Sequence, residues 1–367
     1  MSFAIAASLL LGGCLLGLAL RTGERRRRAP RLPPPAPPFR DVTILLPVRN
    51  EEQDAVPCVE SLLAQTAEPF VRVVDDGSTD ATAALVARRA QGEPRLALVE
   101  AGPLAPGWRG KLHALWVGSR DVETSWLLLT DADTRHHPEA LARARAAAEA
   151  GNLDAVSLAG FQEARGPGES LLVPAVFALL DAILGSWEAA ASGAGPAVAN
   201  GQFILLRRVA WERAGGFPEV RAAPLDDVAI ARRLRETGSR TAFFRAPDLL
   251  RVRMYRGARE AVLGWRRNLG GLFGGQPGTV AAILAVLLAP PLVLAAELLT
   301  GHWPAAILLW ASGAAASALL RSGSGHNPAW GLLFPCDALF LAAVLALSEI
   351  DRRRGRLMSW KGREMKV

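Results

Sequence analysis

The first charged side chain in the sequence is Arg21. Residues 1–20 are therefore an uncharged, apolar run of about the length that crosses a bilayer core at about 1.5 Å per residue. Positive charge comes after that run, in Arg25-Arg26-Arg27-Arg28, and does not precede it. That order suits a retained anchor rather than a cleaved signal, and it holds the next part of the chain on the cytoplasmic side. The short string Leu11-Gly12-Gly13-Cys14 has the look of a lipidation site, but no basic leader comes before it. Beyond Gln276 the chain turns apolar again in segments near 280–299, 303–320 and 330–347, and Arg352-Arg353-Arg354 comes after the last. Three full crossings there would leave the basic tail outside. The adjacent Pro290-Pro291 pair, which lacks two amide donors, marks the first segment as the one expected to break and not to span.

Between these ends lies a chain of a different kind. Half of all residues are hydrophobic and 21% are charged, which excludes a disordered protein. The excess of 42 Lys and Arg over 35 Asp and Glu, a net +7, sits beside the apolar runs instead of forming one broad face. It points to an anionic membrane surface and not to nucleic acid. Cys14, Cys58 and Cys336 are too dispersed for a zinc site or a disulfide framework. The expected organisation is a membrane anchor over residues 1–22 and a basic, proline-rich linker over 23–40, extended and stiff through 30–38. A cytoplasmic catalytic domain with interfacial segments would occupy 41–275, a transmembrane region 276–350 and a basic tail 351–367.

From 41 to about 251 the pattern is α/β. Short apolar runs at 42–46, 71–74, 96–99, 126–129 and 155–158 alternate with alanine-rich helical stretches such as 81–90 and 138–150. This alternation predicts a largely parallel sheet with helices on both faces, whose ligands bind beyond the carboxyl ends of the strands. Three strand ends carry polar residues. Leu46-Pro47-Val48-Arg49-Asn50-Glu51-Glu52 leads into a helix through 59–63. Val74-Asp75-Asp76-Gly77-Ser78-Thr79 reads on its own as a turn with a helix cap at Ser78 or Thr79. Leu129-Thr130-Asp131-Ala132-Asp133 sets two carboxylates at i and i+2, a spacing suited to Mg²⁺ or Mn²⁺ shared with a phosphate. The adjacent His136-His137 reads as a surface pair.

This order of strand ends resembles the family 2 glycosyltransferases, whose nucleotide-diphospho-sugar-binding domain has the GT-A fold. Further strings narrow the likeness: Pro106-Gly107-Trp108-Arg109-Gly110-Lys111-Leu112-His113-Ala114-Leu115, Ala199-Asn200-Gly201-Gln202-Phe203, Leu225-Asp226-Asp227-Val228-Ala229, Arg253-Met254-Tyr255-Arg256 and Trp360-Lys361-Gly362-Arg363. Together they are similar to the membrane-bound branch that includes carotenoid, hopanoid-associated and ceramide glucosyltransferases. The likeness covers about 41–268 plus the tail.

The resemblance implies a GT-A domain between an N-terminal transmembrane helix and a C-terminal helical membrane domain. It implies a donor site built from Pro47, Glu51, Asp75, Asp76, Lys111, Asp131, Arg253, Tyr255 and Arg256. Asp75 would face the nucleobase, where a carboxylate accepts from an imide N–H. Asp131 and Asp133 would hold a divalent cation on the donor's diphosphate, with Lys111 adding charge beside it. Asp227 would be the general base at the head of a helix, and Asp226 its catalytic neighbour or a helix cap.

Such a site makes one inverting transfer of a hexose from a nucleotide sugar, a UDP-sugar by this likeness, to a hydrophobic lipid acceptor. A carotenoid or related terpenoid comes first among acceptors, and a hopanoid- or ceramide-type lipid is the alternative. A non-catalytic scaffold or transporter with a degenerate domain is the reading from another class. The QxxRW string of processive synthases is absent, the nearest being Gly264-Trp265-Arg266-Arg267-Asn268. Segments 171–187 and 264–273 are expected at the membrane interface, so that a lipid hydroxyl reaches a cytoplasmic site in a bacterial cell membrane.

Overall fold

The computed structural model describes residues 3–35, 40–272, 276–360 and 363–366. Residues 36–38 of the proline-rich spacer, Phe273 of the second interfacial segment, and Lys361 and Gly362 of the tail motif lie outside the described residues. The chain forms two compact units. One comprises Ala29–Gln162 and Ser186–Met254, the other Met1–Arg28, Glu163–Gly185 and Tyr255–Val367.

In the first unit the apolar runs become strands β1 (Val42–Val48), β2 (Phe70–Asp75), β3 (Leu96–Glu100), β4 (Trp126–Leu129), β5 (Thr134–His136), β6 (Ala155–Ala159), β7 (Phe161–Gln162), β8 (Ile204–Arg207), β9 (Thr241–Arg245) and β10 (Leu250–Val252). Seven of them make a sheet in the order β3-β2-β1-β4-β8-β6-β9, and β5, β10 and β7 make a small second sheet. Strands β3, β2, β1 and β4 run parallel, as the alternation with helices predicts. Strand β8 runs antiparallel to both β4 and β6.

Side chains alternate across the pleat, so successive residues feed opposite faces. Ile44, Leu46, Val73, Trp126 and Leu128 join one buried cluster with Cys58, Val59 and Leu141 from the helices on that side. Leu45, Leu127 and Leu129 join another with Leu112, Leu115, Ile230 and Leu234 from helices Gly110–Ser119 and Asp226–Glu236.

Register decides what meets at the carboxyl edge. Val48 pairs with Asp75, and Leu45 with Leu129, so the segments after β1, β2 and β4 leave the sheet together. Because β8 is reversed, its first residue Ile204 pairs with Leu129, the last of β4. The loop before β8, with Asn200, Gly201 and Gln202, therefore reaches the same edge as Asp131.

The second unit holds helices Phe3–Arg27, Pro167–Leu184, Ala258–Leu272, Pro277–Leu299, Trp303–Ser322 and Phe334–Arg353, with a 3-10 helix at Pro328–Leu333. Four stretches are long and apolar enough to cross a membrane: Phe3–Arg27, Pro277–Leu299, Trp303–Ser322 and Pro328–Arg353. The expected break at Pro290-Pro291 is absent, since both prolines lie inside one continuous 23-residue helix. Both are buried, and the helix carries on past the two missing donors. The chain ends in a hairpin of β11 (Leu357–Trp360) and β12 (Arg363–Lys366).

Candidate functional site

The loops after β1 and β2 are stitched to each other. Gly77 turns the second loop at φ +74°, a backbone conformation that glycine adopts without strain. Ser78 N–H donates to the Asp75 carboxylate at 3.1 Å, closing the turn. The Asn50 side chain accepts from Thr79 N–H at 2.8 Å, Ser78 Oγ accepts from Asn50 N–H at 3.0 Å, and Thr82 Oγ1 accepts from Glu51 N–H at 2.7 Å. Arg49 donates to the Asp76 carbonyl. Asp75 and Asp76 are buried beneath this seam, beside Pro47, whose strand partner is Val74. The expected cap at Ser78 or Thr79 is not found. The helix begins at Thr82, and Asp80 accepts from Thr82 N–H at 3.0 Å, because Ser78 and Thr79 are committed to Asn50.

A second cluster forms where β4, the loop before β8 and the helix Asp226–Glu236 converge. Lys111, near the start of its helix, places its ammonium 2.7 Å from Asp131 Oδ1 and 2.9 Å from Asp226 Oδ2. Asp227 accepts two backbone N–H groups, from Val228 at 2.8 Å and from Gly201 at 3.2 Å, one on each carboxylate oxygen. A Cβ on Gly201 would lie 3.0 Å from Lys111 Nζ, so any larger residue would push the lysine from its place between the two carboxylates. Thr130 Oγ1 donates to the Gln202 carbonyl at 2.8 Å and ties the loop to the end of β4. Asp226 is the first residue of its helix and pairs with Lys111, and it makes no capping hydrogen bond.

The charges set the protonation states. Burial pushes the Asp227 carboxyl up to about 6, the Asp226 charge pushes the same way, and Lys111 opposes both. Burial alone would lower Lys111, but the charges of Asp131 and Asp226 outweigh it and hold the ammonium above the usual lysine range. Burial holds the Arg109 guanidinium below its usual range, and the Asp226 charge partly offsets that. The site thus presents a carboxylate raised well above the ordinary aspartate range beside a fixed cation, a pattern suited to proton abstraction.

Asp133 comes next at the turn, and its carbonyl accepts from Arg253 N–H at 3.0 Å, which fixes the end of β10 against it. Tyr255 and Arg256 belong to the other unit, where the Tyr255 ring packs edge-on against Trp265 at 6.0 Å. Arg256 N–H there donates to Glu260 at 2.8 Å.

His136 is not a surface residue. It is buried at the end of β5, and its Nε2 lies 3.0 Å from both Thr130 Oγ1 and Thr134 Oγ1. Burial, then the neighbouring Arg135 charge, lowers its pKa to about 3, so a neutral imidazole supports the turn that carries Asp131. Gly201 and Asn50 lie within strings that the sequence singles out, yet nothing in those strings assigns either a role. Their contributions run through a backbone N–H and a loop-to-loop bond, and neither has a residue-type signature.

The chain is similar in fold to proteins of known structure. The mannosyltransferase PcManGT from Pyrobaculum calidifontis, solved with GDP-Man and Mn²⁺, superposes with a TM-score of 0.57 at 22% identity, covering 95% of this chain and 99% of that one. TarS 1-349 of S. aureus is 16% identical with a TM-score of 0.42, over 89% of this chain and 96% of that one. Glucosyl-3-phosphoglycerate synthase from Mycobacterium tuberculosis, in complex with phosphoglyceric acid, is 21% identical with a TM-score of 0.40, over 61% and 75%. No curated protein sequence matches the chain. The description Glycosyl transferase family 2 matches residues 43–176, and Glycosyl transferase family group 2 matches 126–347, more than half of the chain. With its mixed GT-A sheet and its acidic cluster at the carboxyl edge, the chain belongs to glycosyltransferase family 2 and is a glycosyltransferase.

Proposed function

We propose that the protein moves one hexose from a nucleotide-diphosphate sugar to a hydroxyl of a hydrophobic lipid, with inversion at the anomeric carbon, at the cytoplasmic face of a membrane. The observation that carries this reading is Asp227, a carboxylate titrating near 6 and oriented by two backbone N–H groups beside the Lys111–Asp131–Asp226 cluster. In the transfer, Asp227 takes the proton of the acceptor hydroxyl as its oxygen attacks the anomeric carbon. The bond from that carbon to the diphosphate breaks, and its electron pair leaves with the diphosphate. One displacement inverts the centre, so an α-linked donor gives a β-glycoside. Lys111 supplies positive charge near the departing group, and the loops at Asp75 and Glu51 receive the nucleoside.

The acidic excess around Lys111 fits a divalent cation, with Asp131 and Asp133 as its protein ligands. Among the described residues no three His, Cys, Asp or Glu side chains converge into a cage, so such an ion would complete its shell with diphosphate and water. When bound, Mg²⁺ or Mn²⁺ supplies Lewis-acid stabilisation of the leaving diphosphate. The Mn²⁺ and GDP-Man named with PcManGT support a cation and a nucleotide-sugar donor here. Four apolar helices support a membrane-borne acceptor, with a carotenoid or other terpenoid first and a hopanoid or ceramide next. Mass spectrometry of membranes containing the full-length protein, incubated with a panel of nucleotide sugars, tests this. A lipid heavier by one hexose is the expected product, and sugar found only as the free monosaccharide would refute the lipid acceptor.

A further inference from the structure

Within the membrane-candidate unit, the last apolar stretch does not take the path of a crossing helix. Phe3–Arg27 and Trp303–Ser322 lie side by side and point the same way. Leu11 packs with Ala306 and Leu309, Gly12 faces Ser312, and Arg26 donates to the Leu320 carbonyl at 2.7 Å. Pro277–Leu299 runs opposite to them, because the short turn through Thr300 joins it to Trp303 and Ser8 donates to Glu297 at 2.6 Å. One end of this three-helix group carries Arg21, Arg25–Arg28 and Arg321, whereas no Lys or Arg occurs in residues 1–20 or 268–320.

From that basic end the 3-10 helix Pro328–Leu333 runs back along Trp303–Ser322. Gly331 nestles against the backbone of Ala314 and Ala318, and the Leu332 carbonyl accepts from Trp310 Nε1 at 3.2 Å. Trp310 is 12 residues from Ser322, roughly 18 Å at about 1.5 Å per residue, which is about halfway through a bilayer core that Trp303–Ser322 would cross. The chain then reverses. Phe334 sits on Gly313, but Asp337 already meets Ser317 at 2.8 Å and Arg321 at 2.7 Å, one to two turns nearer the basic end.

At the far end of Phe334–Arg353, Asp351 accepts from Arg266. Trp265, beside it, packs edge-on against Phe177 at 5.6 Å in the helix Pro167–Leu184. That helix is fixed to the basic end twice. Its Asp181 accepts from Arg26 at 2.6 Å, and its Ser170 and Leu171 carbonyls accept from Arg321. Pro174 lacks the N–H that would otherwise bond Ser170, and Arg321 supplies the missing donor.

We infer that Pro328–Arg353 enters and leaves the membrane on one side as a re-entrant hairpin, so that the chain crosses three times and its arginine-rich end returns to the face that carries Arg25–Arg28. Long enough to span, the segment spends its length going in and coming back. The Arg321–Asp337 pair holds its returning limb, two charges that tolerate a partly buried depth because each answers the other. Arg352, Arg353, Arg354 and Arg356 then meet the anionic headgroups of that leaflet.

Single cysteines in a full-length background with Cys14, Cys58 and Cys336 replaced by alanine test it, read by an impermeant maleimide on intact and on permeabilised cells. Thr300→Cys marks the turn at the arginine-free end, and Ser324→Cys marks the basic end. Arg354→Cys and Val367→Cys report the segment's exit, two positions so that trimming of the terminus does not decide the result. Labelling of both exit positions under the same condition as Ser324→Cys supports the hairpin whichever way the protein is inserted. Labelling under the condition that labels Thr300→Cys overturns it. A further variant, Asp337→Leu, leaves Arg321 without its carboxylate partner and should loosen the hairpin, with Arg354→Cys then labelled from both sides. Unchanged one-sided labelling there would show that the ion pair is not what holds the limb.

Discussion

Lys111 sits in the space that Gly201 leaves open and its charge acts on Asp227, and that coupling sets the expected outcomes at the scale of single residues. Replacing Asp227 by Asn keeps the shape and removes the base, so turnover should fall by about 10²–10⁴-fold while donor affinity, measured by calorimetry, stays near its original value. Wild-type turnover in that variant would move the base elsewhere. Since Asp227 must be ionised to accept a proton, kcat/KM should rise with pH through about 6 and level off above it. Lys111 lowers the Asp227 pKa, so Lys111→Met should displace that limb to higher pH as well as weaken donor binding. A profile that keeps its midpoint would mean the two groups do not communicate. Gly201→Ala, which pushes a methyl towards Lys111 Nζ and disturbs the N–H on Asp227, should lower kcat more than it raises KM.

The acids of this cluster are legible in the sequence because each comes after an apolar run or opens a helix, places where carboxylates need a reason. Gly201 is not legible as a participant, since what it contributes is a backbone donor and the absence of a Cβ. His136 misleads for the opposite reason: two adjacent histidines look solvated until Thr130 and Thr134 are found around one of them.

Among the elements, the parallel half of the sheet can be read directly from strands of alternating or wholly apolar character separated by helical stretches. The reversed strand β8 cannot, because nothing in Ile204–Arg207 records its direction. Yet that reversal brings Asn200, Gly201 and Gln202 to the carboxyl edge, and with them half of the site. Pro290-Pro291 reads as a break on donor count alone, whereas the surrounding helices keep both rings buried inside a continuous helix. The same unit depends on small residues where helices touch. A Cβ at Gly12 would come within 2.7 Å of Ser312, so Gly12→Leu should separate Phe3–Arg27 from Trp303–Ser322 and lower the melting temperature in detergent by several degrees. Gly13→Leu, with nothing within 4 Å, should leave it unchanged and serves as the control.

At the scale of the molecule, two units divide the work: one carries the acidic cluster on a GT-A sheet, and the other carries the apolar helices. The chain passes between them more than once, with Glu163–Gly185 and Tyr255 onward belonging to the helical unit. The measurement that bears most directly on sugar transfer to a lipid tracks a labelled sugar in membranes that contain either the wild-type chain or Asp227→Asn. Each is given a nucleotide sugar labelled in the hexose, the lipids are extracted, and released nucleoside diphosphate is counted alongside. One hexose should appear in the lipid extract for each nucleoside diphosphate released by the wild type, with the new linkage inverted relative to the donor, and almost none from Asp227→Asn. Equal transfer by both proteins, or diphosphate release with all of the hexose left in the aqueous phase, would contradict a base at Asp227 serving a lipid acceptor.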